Sequence, residues 1–530
     1  MKFANWMKVC LAVTIAGGAA LAQNQDWSAL GKLWWSHVQF LADDSLEGRD
    51  TGSRGFEKAA TYMAEQFRAA GLEPAGVDGY RQPMDFQVVK IDESRCSLDL
   101  LRDGKAQLVK LGDDAILGVS SHAAESVEAG AVFVGYGLTV PESHYDDLAG
   151  QDVKGKIVVL VTGGPSDMPG PVKAHYQSGE ERRKALAKAG VIGTITIQNP
   201  KSAEVPWSRI AASRFQPRME LSDPGQGVPP PLPLSIAFNP AHAEMLFAGS
   251  GHTFQEILTA VNEDKPLPHF PLAVQVHARV GMTRSEVKSE NVAGVLPGSD
   301  PQLKKEYVVV SAHLDHLGIG EPVNGDRIYN GAMDDASGDA SLIEIARAMK
   351  GSKPKRSILF LSVTGEEKGE LGSQYFAAHP TVSGPIVADI NMDMYLPLFP
   401  LKYLEVQGLG ESTLGADVRA VAGPAGVQIQ ADKEPEHNRF IRSDQYSFIK
   451  KGVPSLAFKF GWVSGSPEEK IFKAWYAERY HGLADDLSQP VDLAAAAQFD
   501  AILAKLALRV ADADHRPEWK SDSFFRRFAQ

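Results

Sequence analysis

The chain has 530 residues, of which 44% are apolar and 23% are charged, and its formal net charge at pH 7 is −12. This length exceeds that of one ordinary domain, so at least two domains are expected. The apolar and charged fractions are typical of a globular protein. The acidic balance argues against nucleic acid and anionic membrane surfaces as partners.

The first 22 residues have the pattern of a secretory leader. Lys2 and Lys8 give a positively charged front before an apolar stretch at 9–21, and Ala20-Leu21-Ala22 offers a cleavage site. The stretch is too short to span a membrane comfortably. We therefore expect cleavage after Ala22 and a secreted or periplasmic protein without a membrane partner. Cys96 would then be the single cysteine, which excludes an intrachain disulfide.

The next part of the chain predicts the opening of an α/β domain. Residues 27–41 have an amphipathic helical pattern, and a second helix is expected over 55–70, ending at Gly71. Residues 86–91 alternate between apolar and polar types, which predicts a strand.

From about Cys96 the pattern changes to short strands separated by glycine and proline clusters. Strands are predicted at 131–136, 156–161, 193–197 and 272–280, with one clear helix at 179–189. Many short strands with few helices indicate a separate β-rich module.

After Asn291 strands and helices alternate. The predicted strands are 307–312, 357–363, 386–391, 403–407 and 455–460, and the predicted helices are 337–349, 371–378, 414–422, 444–450 and 493–511. This alternation predicts a mixed, mostly parallel central sheet with helices on both faces. In such sheets the functional residues lie at the carboxyl ends of the strands.

The stretch from 308 to 338 holds the first candidate site residues. His313 and Asp315 are two positions apart at the end of a β-branched run, so their side chains share a face. Asp334 and Asp335 are consecutive aspartates among small and apolar residues, where burial is costly unless a positive group holds them.

Similar polar residues recur after the neighbouring predicted strands. The five positions are His313, Asp334, Glu366-Glu367, Asp393 and Tyr480-His481. Two histidines with three carboxylates suit two divalent ions of borderline softness, most simply zinc.

Together these motifs resemble the co-catalytic dizinc exopeptidases of clan MH, of the bacterial leucyl or aminoacyl aminopeptidase and glutamate carboxypeptidase type. The resemblance covers 291–490 with the five motifs in order, and 27–91 is similar to the family's N-terminal piece. The GYGLTVP and KGKIVVL stretches resemble a protease-associated (PA) domain. The implied organisation is a leader at 1–22, the peptidase domain at 23–92 and 286–530, and an inserted PA domain at 93–285.

The resemblance also implies a role for each site residue. Two Zn2+ ions per chain would share Asp334, with His313 and Asp393 completing one site and Glu367 and His481 the other. Glu366 would be the general base toward the attacking water, and Tyr480 would stabilise the oxyanion. Asp315 would hold the far ring nitrogen of His313, and the Asp334–Asp335 peptide would be cis.

Some residues depart from the family pattern or leave alternatives open. His316 forms an H-x-x-H pair with His313, but the family does not ligate there. Gln445 stands where many relatives have histidine, and Arg49 is expected to be structural. Either Asp485 or Asp486 would steady His481.

The function these residues favour is that of a secreted dizinc aminopeptidase acting on peptides. A glutamate-carboxypeptidase-like enzyme would need a basic cluster, for which Arg439, Arg442 and Lys459 are candidates. A glutaminyl-cyclase-like acyl transferase uses one zinc, so the two-metal set argues against it. A non-catalytic, receptor-like ectodomain would be expected to have lost ligands. The preferred side chain and the oligomeric state stay open.

Overall fold

The structure is a computed structural model that describes residues 25–203, 205–223 and 230–529. The predicted leader at 1–22 and its cleavage site lie outside these residues. Among the helices of the described residues, none is long and apolar enough to cross a membrane.

A ten-stranded mixed sheet, called the main sheet, organises the chain around the candidate site residues. Its order across the sheet is Arg218–Leu221, Arg81–Ile91, Met282–Leu296, Ser357–Val363, Tyr307–His313, Ile386–Asn391, Ser455–Phe460, Tyr403–Gln407 and Gln428–Ala431, with Glu73–Pro74 paired to Met282–Leu296. The four strands from Ser357–Val363 to Ser455–Phe460 are parallel, and the flanking pairs are mostly antiparallel. The predicted mixed α/β sheet is therefore confirmed.

Helices cover both faces of the main sheet because its central strands are apolar on both sides. Val308 and Val310 belong to one buried cluster, and Val309 belongs to the other. The first face packs against the helices Trp27–Leu41, Arg54–Ala70, Ser337–Ala348 and Leu493–Asp512. The second face packs against Leu371–Ala378 and Gln445–Ile449. Leu414–Ala422 and Pro467–Glu478 complete the helices of this region.

The two N-terminal helices begin and end where capping chemistry predicts. Ser53 accepts the N–H of Phe56 at the start of Arg54–Ala70, and Gly71 closes that helix with φ +88°. Gly31 lets Trp27–Leu41 approach the last helix closely, since a Cβ there would lie 2.0 Å from the Leu493 carbonyl oxygen.

The β-rich region forms an eight-stranded sheet, called the second sheet, with its own buried core. Its order is Lys105–Leu108, Ser97–Arg102, His269–Arg279, Ser126–Val134, Ile157–Val161, Gly193–Ile197, Leu234–Phe238 and Ala115–Gly118. It carries more helices than the one predicted: Gly170–Gln177, Gly179–Lys188, Trp207–Ala212, Glu244–Phe247 and Phe254–Asn262.

The β-rich stretch of sequence is joined to the main sheet by strand pairing as well as by the connecting segments of the chain. Strand Arg218–Leu221, which lies within the β-rich stretch of sequence, pairs with Arg81–Ile91 in the main sheet. Strand Met282–Leu296 runs along the whole of Arg81–Ile91, so the position 285/286 falls inside a continuous main-sheet strand. The identity of the β-rich region as a PA domain remains a prediction.

Candidate metal centre

Five predicted site residues converge at one edge of the main sheet. His313 ends its strand, Glu367 follows Ser357–Val363, and Asp393 follows Ile386–Asn391. Because these strands are parallel, their carboxyl ends meet at the same edge. Asp334, in the loop before Ser337–Ala348, and His481, after Pro467–Glu478, reach the same place.

Side-chain distances divide these residues into two clusters that share Asp334. In the first, the His313 Nε2 atom lies 3.2 Å from Asp334 Oδ1 and 3.8 Å from Asp393 Oδ1. In the second, the His481 Nε2 atom lies 3.3 Å from Asp334 Oδ2 and 3.2 Å from Glu367 Oε2. Each oxygen of Asp334 therefore faces a different histidine.

Several of the converging atoms are buried without a hydrogen-bond partner. They are His313 Nε2, Asp334 Oδ2, Glu367 Oε1 and Asp393 Oδ1. A buried polar atom left unsatisfied costs about 1–3 kcal/mol, so four together at one point are expensive. Imidazole nitrogen and carboxylate oxygen are the ligand atoms that zinc takes, and a cation in each cluster would satisfy these atoms.

The electrostatics of the centre favour positive charge. Burial alone lowers the pKa of His313, but the carboxylates of Glu366, Asp334 and Asp393 raise it well above its usual range. Burial raises the pKa of Glu366, and the nearby Asp393 and Glu367 carboxylates add to this effect. The centre therefore holds an excess of carboxylates over cationic groups, which is the setting in which a divalent ion binds.

Asp315 supports the centre differently from the sequence-based expectation. The His313 Nδ1 atom lies 3.1 Å from the backbone carbonyl of Asp315, not from its carboxylate. That carboxylate instead accepts the N–H groups of Glu366 at 3.1 Å and Glu367 at 3.3 Å and the Thr51 hydroxyl at 2.9 Å. Asp315 thus fixes the backbone that presents both glutamates.

The two candidate supports of His481 have other partners. Asp485 is buried and accepts the N–H of Met333 at 2.9 Å and of Asp334 at 3.0 Å. Asp486 accepts from Ser488. Within the described part of the chain, neither carboxylate is hydrogen-bonded to the His481 ring, so Asp485 steadies the shared Asp334 instead.

The loop around Asp334 is also held from the other side. The Asp334–Asp335 peptide is cis, as the resemblance implied. Asp335 accepts the N–H of Gly338 at 3.0 Å. Arg49 is fully buried and donates to the carbonyls of Leu314, Leu41, Asn330 and Gly331. Its structural role follows, because it joins the loops that carry His313 and Asp334.

Gln445, which replaces a histidine common in relatives, is part of the scaffold beneath the site. Its side-chain oxygen accepts from Asn391 at 2.8 Å, and its amide donates to the Phe440 carbonyl at 3.0 Å. It anchors the strand end that precedes Asp393.

His316 lies against the second cluster. Its Nδ1 atom is 2.7 Å from Glu367 Oε1 and 4.0 Å from Asp334 Oδ2. Sequence reasoning set this residue aside. The sequence signal for His316 was its H-x-x-H spacing from His313. Whether that spacing brings both rings to the metal centre depends on how the loop after the strand folds.

A cavity of about 200 Å³ opens onto both clusters. Glu366 and Tyr480 line it, together with Glu370, Arg442 and Lys459. The Tyr480 ring lies 4.0 Å from that of His481, measured between centroids. The predicted base and the predicted oxyanion donor therefore face the same space as the clustered ligand atoms.

The β-rich region contributes to the walls around this centre. A second cavity of about 510 Å³ is lined by Glu367 and His481 on one side and by Arg209 and Arg218 on the other. Arg209 donates to the backbone carbonyls of Tyr480 and Ala477. It therefore braces the segment that carries Tyr480 and His481.

Similarity to known proteins points to the same region of the chain as the functional site. Peptidase family M28 matches residues 291–507. A probable leucine aminopeptidase 2 of Aspergillus oryzae is 27% identical over 237 residues, 41% of this chain and 44% of that protein. A probable zinc metalloprotease of Pyrenophora teres f. teres is 37% identical over 110 residues, 20% of this chain and 23% of that protein.

Two longer matches cover nearly the whole chain. Carboxypeptidase Q of Mus musculus is 22% identical over 523 residues, 97% of this chain and 91% of that protein. The solved aminopeptidase from Aneurinibacillus sp. strain AM-1 has a TM-score of 0.53 at 19% identity, covering 93% of this chain and 96% of that chain. This last likeness shows the fold.

The first curated relatives are matched over less than half of their own length, whereas the family match includes every one of the five clustered residues. The chain is therefore similar to peptidase family M28 over residues 291–507, which is less than half of its length.

Proposed function

We propose that this chain is a dizinc aminopeptidase of the M28 type that hydrolyses the N-terminal peptide bond of peptides. The observation that carries the proposal is the shared Asp334, whose two oxygens face two histidines at 3.2 and 3.3 Å. One carboxylate between two donor clusters is the arrangement expected for a pair of ions.

In this proposal the ligands of one zinc are His313, Asp334 and Asp393, and those of the other are Asp334, Glu367 and His481. Bound zinc would lower the pKa of water and polarise the scissile carbonyl. Asp315, Asp485 and Arg49 hold the loops that present these ligands.

Glu366 is the proposed general base. Its carboxylate lines the cavity beside the clusters, and its backbone N–H is fixed by Asp315 at 3.1 Å. It would take a proton from the attacking water and deliver it to the leaving amine. Tyr480, which lines the same cavity, would donate its hydroxyl to the oxyanion.

Two observations favour an aminopeptidase. Glu366 and Glu370 bring carboxylates to the cavity, which suits a substrate ammonium group. All three candidate basic groups already have partners, since Lys459 donates to the Asp393 carbonyl at 2.7 Å, Arg439 pairs with Glu434 at 3.0 Å and Arg442 donates to the His437 carbonyl at 3.0 Å. The names of the aminopeptidase relatives point the same way.

A carboxypeptidase is the second candidate. The match to carboxypeptidase Q spans almost the whole chain, and Arg442 lines both cavities, where it could face a substrate carboxylate.

Secretion or periplasmic location, after cleavage at Ala22, stays a prediction from the sequence.

A substrate panel separates the candidates. Zinc-loaded protein is assayed with aminoacyl-anilides, with free and N-acetylated forms of one peptide, and with peptides ending in glutamate. The aminopeptidase proposal expects cleavage of the anilides and the free peptide and no cleavage of the acetylated form. Release of the C-terminal glutamate from N-acetylated peptides would contradict it.

A further inference from the structure

We infer that His316 is an additional protein ligand of the second metal site, beside Glu367, His481 and the shared Asp334. The inference rests on the proposed zinc centre. The His316 Nδ1 atom lies 2.7 Å from Glu367 Oε1 and 4.0 Å from Asp334 Oδ2. His316, Asp334 and Glu367 each offer one ligand atom, and these atoms all lie within 4.8 Å of one another.

An ordinary hydrogen bond does not account for this contact. His316 is fully buried, and both of its ring nitrogens lack a hydrogen-bond partner, as does Glu367 Oε1. The 2.7 Å separation lies within hydrogen-bond range, but the direction of the contact leaves both atoms unsatisfied. Ligand atoms about 2.0–2.2 Å from one tetrahedral zinc ion lie about 3.3–3.6 Å apart, so an ion held by His316 and Glu367 would move the two atoms slightly further apart than the 2.7 Å seen here.

The protein backbone is shaped to hold the His316 ring in place. The His316 N–H donates to the Arg49 carbonyl at 3.3 Å. Gly331 lies against the ring, where an added Cβ would stand 2.5 Å from His316 Cγ, and its φ is +62°. A larger residue at Gly331 would collide with the ring. The ring position is thus set by its surroundings, independently of any ion.

The consequence is a chemical difference between the two sites. The first cluster has three protein ligands, His313, Asp334 and Asp393, which leaves a position for water or substrate. The second would have four, counting His316 and the shared Asp334, which is the number found in closed, tightly held zinc sites. We expect the second ion to bind more tightly and to be the last one removed by a chelator.

The test measures zinc, not activity. Wild-type protein and the variant His316→Ala are equilibrated against a series of zinc buffers, and bound zinc per chain is determined by elemental analysis. His37→Ala is the matched control, because His37 is also buried but contacts Tyr62 and Glu344 away from the site.

The expected result is two zinc ions in wild type and in the control. His316→Ala should lose affinity at the tighter site by more than about 100-fold, which is the upper limit for loss of an outer partner of a metal ligand. Unchanged binding of both ions in His316→Ala would overturn the inference and leave the proposed function standing. Wild-type protein that binds no zinc would overturn both the inference about His316 and the proposed function.

A second measurement uses wild type alone, in case the variant does not fold. A crystal of the zinc-loaded chain, with anomalous data at the zinc edge, locates each ion. The inference expects His316 Nδ1 at about 2.0–2.1 Å from the second ion. A separation beyond about 3 Å, with Nδ1–H donating to Glu367, would overturn it.

Discussion

Both sheets of this protein contain a run of four adjacent parallel strands, but they end those strands in different residues. In the main sheet the carboxyl ends lead to His313, Glu367 and Asp393. In the second sheet Ile157–Val161 is followed by Thr162 and Gly163, and Gly193–Ile197 is followed by Gln198 and Asn199. Both candidate metal-binding groups found among the described residues lie at the main sheet.

The difference shows that topology and chemistry are separate requirements. Parallel strands bring their carboxyl ends to one edge in either sheet. At the main sheet these ends carry the imidazoles and carboxylates of both candidate metal-binding groups, in loops fixed by Asp315, Asp485 and Arg49. The second sheet contributes contacts to the site instead, through Arg209.

The largest expected effect comes from Glu366, the proposed base at the main sheet. Glu366→Ala should reduce turnover by about 10²–10⁴-fold, because general base catalysis contributes this much. Zinc content should stay at two ions per chain, since Glu366 is not among the ligands. Steady-state kinetics with elemental analysis check both. Wild-type turnover in this variant would remove Glu366 from the mechanism.

The next largest effect is expected from substitution of Asp334, the carboxylate shared by both clusters. Asp334→Ala removes an oxygen from each cluster, so both ions should bind weakly and zinc content should fall toward zero under the conditions that saturate wild type. Asp486→Ala is the matched control, because the Asp486 carboxylate accepts hydrogen bonds from Ser488 and, within the described residues, is not hydrogen-bonded to a side chain of either cluster. Retention of both ions by Asp334→Ala would break the assignment of one shared ligand.

Arg209 tests whether the second sheet acts on the main-sheet site. Arg209→Ala removes the donors to the Tyr480 and Ala477 carbonyls, and we expect a several-fold loss of kcat/KM with two ions retained. The expected loss of stability is about 1 kcal/mol. Arg102→Ala is the control, since Arg102 also donates to backbone carbonyls, those of Ala248 and Met245, within the β-rich region. Equal kinetic effects in the two variants would contradict a specific role for Arg209.

The smallest effect concerns the ion pair between the two regions. Burial raises the pKa of Glu180, but Lys450, at 2.9 Å, and Lys184 lower it in net to about 2. A carboxyl whose pKa is lowered on folding stabilises the protein above its unfolded pKa of about 4.3, and this stabilisation is lost as the pH falls toward 2.

Glu180→Gln should therefore reduce the free energy of unfolding at pH 7 by about 1 kcal/mol, a value kept small because the pair is partly exposed to solvent. The difference from wild type should shrink between about pH 5 and pH 2. Urea unfolding at several pH values measures it. A difference that is constant across this range would show that the charge of Glu180 is not the cause.

Much of the main sheet could be predicted because its strands are apolar runs of ordinary length. The predicted strands 357–363, 386–391, 403–407 and 455–460 have the bounds that the structure gives. Helix Pro467–Glu478 was missed, although Ser466 and Pro467 are an N-cap and first-turn pair. Strand Arg218–Leu221 could not be assigned to the main sheet from sequence, because its partner Arg81–Ile91 is far away along the chain.

At the site, the sequence indicated which residues converge but not which of their atoms contact one another. The cis peptide at Asp334–Asp335 agrees with the prediction from resemblance. The contact of His313 with the Asp315 carbonyl, in place of the carboxylate, depends on how the chain turns after the strand. The same holds for Asp485 at the backbone of Asp334 and for His316 at Glu367. The roles assigned to the site residues stay proposals.

The most direct test of the paired metal centre is a zinc titration of metal-free protein with an aminoacyl-anilide as substrate. With a paired centre, hydrolysis should rise until two zinc ions are bound per chain and should be absent from the metal-free protein. Full hydrolysis with no bound zinc, or complete saturation of binding and activity at one ion per chain, would contradict it.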